Sequence, residues 1–215
     1  MRILALNSSP RSGSQSKTEL MLNHLAVGMR DVEADVEVVC LREKTIKNCI
    51  GCFTCLTKTP GKCIHKDDMT KELLHKWLES DIVVYATPLY NYAVNATLKA
   101  FIERTLPSFE PFFEIHNGRM FHPLRHKNPG VVVLSVAGMP DEEHFSALSA
   151  HVNYFSATPG RKLLAEIYRP AAEIMTSPFL QEKSNDILDA TKQAGRELVQ
   201  SMKISPETMA RITQP

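Results

Sequence analysis

The 215-residue chain predicts an α/β fold, a five-stranded parallel sheet covered by helices on both faces. Two observations carry that prediction. Short β-branched apolar runs alternate along the chain with longer segments whose apolar residues recur at helical period. Such alternation argues a parallel sheet covered on both faces, because parallel neighbours need a crossover helix between them. The length suits one full hydrophobic core, and no internal repeat, low-complexity tract or linker divides it. The expectation is one domain over 1–215, with a Cys-rich loop at 47–66 and an irregular insertion at 105–129.

The strands are expected at Ile3 to Leu6, Val36 to Cys40, Ile82 to Ala86, Val131 to Val136 and Leu163 to Ile167. Helix one follows the first strand with Leu20, Met21 and Leu25 on one face. Helix two carries Met69, Leu73, Trp77 and Leu78 behind Asp67 and Asp68, which suit N-capping. Helix three has Leu98, Phe101 and Ile102. Helix four has Phe145, Leu148, Val152 and Phe155 behind Asp141, and helix five has Ile187, Leu188, Ala194, Leu198 and Val199. The stretch from Thr105 to Pro129 is Pro-rich and aromatic without a clear period, a composition common in lids and interface elements.

Charge narrows the partners. With 25 basic against 24 acidic residues, no net field draws the chain to nucleic acid or to an anionic membrane, and a small molecule is the expected partner. No apolar run approaches membrane-spanning length, and the apolar start is too short for a signal-peptide core, so a cytoplasmic protein is expected. In that reducing compartment five cysteines read as metal-binding, catalytic or redox-active rather than as a disulfide framework.

The turn after the first strand, Asn7 to Thr18, is rich in hydroxyls and carries Arg11 and Lys17. At a helix N-terminus it offers free N–H groups and the positive end of a dipole to a phosphate. Ser16 and Glu19 also have capping-box spacing, and a capped helix still has N–H groups to spare. The loop matches neither G-x-G-x-x-G nor G-x-x-x-x-G-K-[ST], which disfavours a dinucleotide site and an NTPase. The turn after the third strand, Thr87-Pro88-Leu89-Tyr90-Asn91-Tyr92-Ala93-Val94, opens on the same rim, where open α/β sheets bind ligands. Its tyrosines offer flat faces to a planar ring. Ala137 and Gly138, after the fourth strand, are small enough to let a ring approach the backbone. His24 and His151 read as helical packing or surface residues, Cys40 as core, and no Ser-His-Asp or paired-carboxylate set can be assembled from the sequence order. No side chain is assigned as a catalytic acid or base.

In order along the chain, Ser9-Pro10-Arg11 with Ser16 and Thr18, Cys49-Ile50-Gly51-Cys52 through Asp67-Asp68-Met69, and Ala86-Thr87-Pro88-Leu89-Tyr90 resemble the NAD(P)H-dependent FMN reductases and iron-sulfur flavoproteins. Pro111-Phe112, Gly118, His122-Pro123, Arg125 and Tyr168-Arg169-Pro170-Ala171-Ala172 are similar to one subgroup. The resemblance implies a flavodoxin-like three-layer doubly wound five-stranded parallel sheet, noncovalent FMN, NAD(P)H as cosubstrate, and a homodimer or homotetramer. By position, Ser9, Arg11, Ser16, Lys17 and Thr18 should surround the FMN phosphate. Pro88, Leu89, Tyr90, Asn91 and Tyr92 should line the ring, with Ala137 and Gly138 on the same rim. Ser8 stands where the family often has Gly, and Asn91 where an aromatic is common.

Cys49, Cys52, Cys55 and Cys63 have C-x2-C-x2-C-x7-C spacing, which resembles the compact cluster motif of iron-sulfur flavoproteins; four thiolates are what a [4Fe-4S] cluster requires. Zinc and free thiols remain as alternatives. The spacing is unusual for structural zinc, and cysteine is among the residues most often buried. His65 lies close enough in sequence to serve as an alternative ligand. The function expected is an FMN-dependent oxidoreductase that takes a hydride from NAD(P)H and passes electrons to a small-molecule or protein acceptor. The alternative is an electron carrier between FMN, a [4Fe-4S] cluster and a partner protein.

Overall fold

The computed structural model describes residues 1–214, and its elements follow the predicted alternation. In chain order the strands are β1 (Arg2–Asn7), β2 (Asp35–Cys40), β3 (Ile82–Pro88), β4 (Glu114–His116), β5 (Arg119–Phe121), β6 (Gly130–Val136) and β7 (Leu163–Arg169). The α-helices are α1 (Lys17–Arg30), α2 (Leu74–Glu79), α3 (Ala96–Glu103), α4 (Ser146–Ser156), α5 (Gln181–Ser201) and α6 (Pro206–Thr213). Five strands form one sheet in the order β2-β1-β3-β6-β7, every neighbouring pair parallel. The strand order reverses at β1 and β3, so the crevice between their carboxyl ends is the switch point of a doubly wound sheet.

Alternate residues of each central strand feed two different cores. Ile3, Ala5, Ile82 and Val84 pack with Met21, Leu25 and Met29 of α1 and with Ile187, Ala194 and Leu198 of α5. Leu4, Leu6, Val83 and Tyr85 face Trp77 of α2, Phe101 of α3 and Leu148 and Val152 of α4. The period of two along a strand sends each face to its own helical layer, giving three layers. On the first face, α1 and α5 approach closely at two glycines. A Cβ on Gly28 would lie 1.8 Å from the Lys192 carbonyl oxygen, and one on Gly195 would lie 2.2 Å from that of Leu25.

Four details differ from the sequence expectation. The irregular insertion contains the antiparallel hairpin β4-β5, whose three-residue strands are too short to show a period. Helix two opens as a π-helical turn, Met69–Leu73, before α2. A sixth helix, α6, is capped by Ser205, whose hydroxyl accepts from the Thr208 N–H. Strands β3 and β7 each run two residues past the expected end, to Pro88 and Arg169. Among the described residues, no helix is long and apolar enough to cross a membrane.

Candidate functional site

The loop after β1 is held by its own hydroxyls. Ser16 caps α1, its Oγ accepting from the Glu19 N–H at 3.1 Å and donating to Ser9 Oγ at 2.8 Å. The reciprocal half of the capping box is absent. Glu19 instead accepts from Asn7 at 3.0 Å and pairs with Arg42 at 2.8 Å. The N–H groups of Lys17 and Thr18 lie in the first turn of α1, where a helix has no acceptors of its own, and are available to an anion. Lys17 Nζ lies 2.9 Å from Glu173, so one of the two cations of the loop already has a carboxylate partner. Ser8 fastens the loop to β3, both its N–H and its hydroxyl donating to the Ala86 carbonyl at 2.9 Å. Its hydroxyl thereby does what a glycine could not.

The loop after β3 forms a tight reverse turn. Tyr90 and Ala93 exchange N–H···O bonds of 3.1 Å, and the two residues between them, Asn91 and Tyr92, have φ of 49° and 64°. Two successive left-handed residues define a type I′ turn, which Asn tolerates and Tyr does not favour. The Tyr92 ring sits 5.9 Å from the His144 ring, at the start of the α4 layer. Asn95 caps α3 through the Leu98 N–H at 3.2 Å and donates to the Ser8 carbonyl at 2.6 Å, joining this loop to the first.

Between these loops lies a cavity of about 220 Å³ at the switch point, lined by Ser9, Arg11, Ser16, Lys17, Thr18, Pro88, Leu89, Tyr90, Ala137 and Gly138. Of the ligand-site residues expected from sequence, only Asn91 and Tyr92 stand outside its wall, at the exposed tip of the turn. Gln15, Val136, Ala172 and Glu173 complete the lining and were missed. The last two follow β7, which runs two residues past its expected end, and the Ala172 N–H donates to the Ala137 carbonyl at 2.8 Å. A Cβ on Gly138 would meet no protein atom within 4 Å, so the space in front of it is open to a ligand. The wall combines helix N–H groups, hydroxyls and cations at one end with proline, leucine and tyrosine at the other. That is the donor set of a phosphate joined to a flat ring.

The cysteine loop forms a second site. Cys49, Cys52, Cys55 and Cys63 all line one pocket, with His65 and Arg104. Among the described residues no three His, Cys, Asp or Glu side chains converge on a single metal ion. A zinc site would need such convergence, whereas a [4Fe-4S] cluster spreads its thiolates over four irons. The space enclosed is about 20 Å³, too small as it stands for a [4Fe-4S] cluster, and Cys52 and Phe53 face solvent. Burial and the neighbouring Cys63 push the Cys55 thiol up, while the Thr54 hydroxyl and N–H hold Cys52 down. Cys40 is half-buried at the end of β2, its thiol raised by burial.

Asp67 plays a larger part than capping. Its carboxylate accepts from Arg104 at 2.6 and 3.0 Å, from the Lys47 N–H at 2.9 Å and from the Thr70 N–H at 3.2 Å. Burial alone would raise its pKa, but these bonds outweigh it and hold the carboxyl well below the usual range. Arg104 also donates to the Lys47 carbonyl at 2.7 Å, so one buried ion pair fastens both ends of the cysteine loop.

Known proteins share this architecture. An iron-sulfur flavoprotein of Archaeoglobus fulgidus is 40% identical over 108 residues, 50% of this chain and 46% of its own length. An FMN-dependent NADH:quinone oxidoreductase of Pelagibacter ubique is 28% identical over 152 residues, 63% of this chain and 72% of its own. The chain spans about half the length of the first curated relatives it matches, 46, 58 and 53%. The FMN complex of an FMN-dependent NADH-azoreductase from Bacillus anthracis superposes with a TM-score of 0.66 at 12% identity, covering 92% of this chain and 99% of that one. At that identity the superposition shows a shared flavodoxin-like fold. Residues 1–160, from β1 through α4, match the pattern of the NADPH-dependent FMN reductases, and the chain belongs to that family.

Proposed function

We propose that this chain is an FMN-dependent oxidoreductase that takes a hydride from NAD(P)H and passes electrons to a small-molecule or protein acceptor. The observation that carries the reading is the switch-point cavity, in which the N-terminus of α1 and a Pro88-Leu89-Tyr90 wall line one space. FMN would supply the two-electron chemistry; the protein supplies position and electrostatics. Ser9, Ser16, Thr18 and the N–H groups of Lys17 and Thr18 hold the phosphate, with Arg11 and Lys17 balancing its charge. Pro88 to Tyr90 form one wall of the ring site, and Ala137 with Gly138 keep the opposite approach free of side chains. Asn91 and Tyr92, on the exposed turn, face the cosubstrate side. The quinone and azo compounds in the relatives' names make acceptors of two electrons the first to test. Binding is tested by fluorescence titration and by the flavin released on denaturation. One FMN per chain supports the reading, and no FMN binding removes it.

A second reading rests on a separate observation, that all four loop cysteines line one pocket. In it Cys49, Cys52, Cys55 and Cys63 would hold a [4Fe-4S] cluster, which would supply single-electron transfer to a partner protein; the relatives named iron-sulfur flavoprotein make a cluster the first occupant to test. Iron and sulfide analysis after anaerobic reconstitution tests it, and neither element above background rejects it. We place the protein in the cytoplasm, where five free thiols stay reduced. A homodimer or homotetramer would cover the apolar residues of the β4-β5 hairpin.

A further inference from the structure

We propose that Arg104 is a positioning residue of the cysteine pocket, supplying its Nε–H and its positive charge to the sulfurs of an iron-sulfur cluster; the inference rests on the cluster reading above. Arg104 closes α3, and its side chain is 1% exposed. Its two terminal nitrogens make three hydrogen bonds. They form the two-pronged bond to Asp67 and the bond to the Lys47 carbonyl, and those contacts suffice to clasp the loop.

The Nε–H is left over. It is buried, no protein atom accepts from it, and the residue forms part of the wall of the four-cysteine pocket. A second buried atom of the same wall, His65 Nε2, also has no protein partner. The two atoms lie in one small pocket with four cysteines, and an occupant rich in acceptors would satisfy the Arg104 N–H.

A cluster held by four thiolates is anionic and becomes more so on accepting an electron. Hydrogen bonds to its sulfurs and a nearby cation therefore favour the reduced form. Asp67 fixes the guanidinium through its two-pronged bond, and its own carboxylate also accepts from the Lys47 and Thr70 N–H groups. Lysine could keep the charge and the ion pair but has no equivalent of the Nε–H.

The test uses the full chain, reconstituted anaerobically with iron and sulfide. In reduced protein labelled with 15N-arginine, electron-nuclear double resonance should show an arginine nitrogen coupled to the cluster spin. An EPR-monitored redox titration should give a lower midpoint potential for the Asp67→Asn, Arg104→Gln pair than for the wild type. The expected shift is about tenfold in the ratio of reduced to oxidised cluster, about 59 mV for a one-electron couple. An absent arginine coupling, or a potential that does not fall while iron and sulfide content is unchanged, overturns the role of Arg104 and leaves the cluster reading standing. Wild-type protein that binds neither iron nor sulfide overturns both. If the paired variant does not fold, the coupling in the wild type decides alone.

Discussion

The Asn95 amide donates to the Ser8 carbonyl across 2.6 Å, so the residue that starts α3 and the loop after β1 share one buried bond at the switch point. The same side chain accepts from the Leu98 N–H and starts α3. One residue thus sets both the direction of a helix and the separation of the two loops that face the cavity. Asn95→Ala should lose the cap, about 0.5–2 kcal/mol, and strand the Ser8 carbonyl, about 1–3 kcal/mol more. Asn95→Ser should recover the cap but not the tie. Urea denaturation paired with FMN titration checks this: the serine variant should regain stability while its FMN affinity stays reduced.

At the phosphate end, Ser16→Ala or Thr18→Ala should cost FMN affinity by about 1.5–3 kcal/mol, the range for hydrogen bonds to charged groups. Riboflavin, which lacks the phosphate, should lose much less. Equal losses for both ligands would point to a folding defect.

Glu173 pairs with Lys17 at 2.9 Å and would compete with the proposed phosphate for it. Glu173→Gln should therefore tighten FMN binding by at most about 1 kcal/mol, because the carboxylate is largely exposed. Isothermal titration with FMN and riboflavin should show the gain for FMN alone.

Asp67 makes an acid-stability prediction. Its folded pKa is depressed, so the stability it contributes is present above the unfolded value of about 3.9 and is lost as pH falls through the folded value. Thermal melts of the wild type should decline more steeply below about pH 4 than those of Asp67→Asn. Removing only the cation, Arg104→Ala, should cost about 3–5 kcal/mol at neutral pH by leaving a buried carboxylate unpaired.

The β4-β5 hairpin and its approach expose Phe112 at 54%, Phe113 at 62%, Ile115 at 73% and Met120 at 69%. These exposed apolar residues are the surface proposed for self-association. Ile115→Lys with Met120→Lys should shift the mass measured by light scattering from oligomer to monomer; an unchanged mass removes the hairpin from the interface.

Most of the sheet could be read from the sequence because its strands are buried on both faces, and a run such as Val131 to Leu134 has no other use in a chain of this composition. The hairpin could not, since Glu114 to His116 are exposed throughout and no core selects their pattern. At the cavity, the hydroxyl-rich loop and the proline turn were legible as local chemistry. Asn95 was overlooked, although an Asn before the Ala-Thr-Leu start of an apolar helix is a capping signal. Asp67 could be read as a cap from its position, but its bond to Arg104 spans 37 residues and leaves no local trace. Ala172 and Glu173 follow β7, which runs past its expected end.

The central claim, that the switch-point cavity holds an FMN reducible by a nicotinamide, is tested most directly by anaerobic rapid mixing of the FMN-loaded protein with NADH and with NADPH. Loss of the oxidised flavin absorbance with at least one of them, slowed more by Tyr90→Ala in the cavity wall than by Ser16→Ala at its phosphate end, is the result predicted. Full occupancy by FMN with no bleaching by either nicotinamide, while a low-potential protein donor reduces it readily, would contradict the claim.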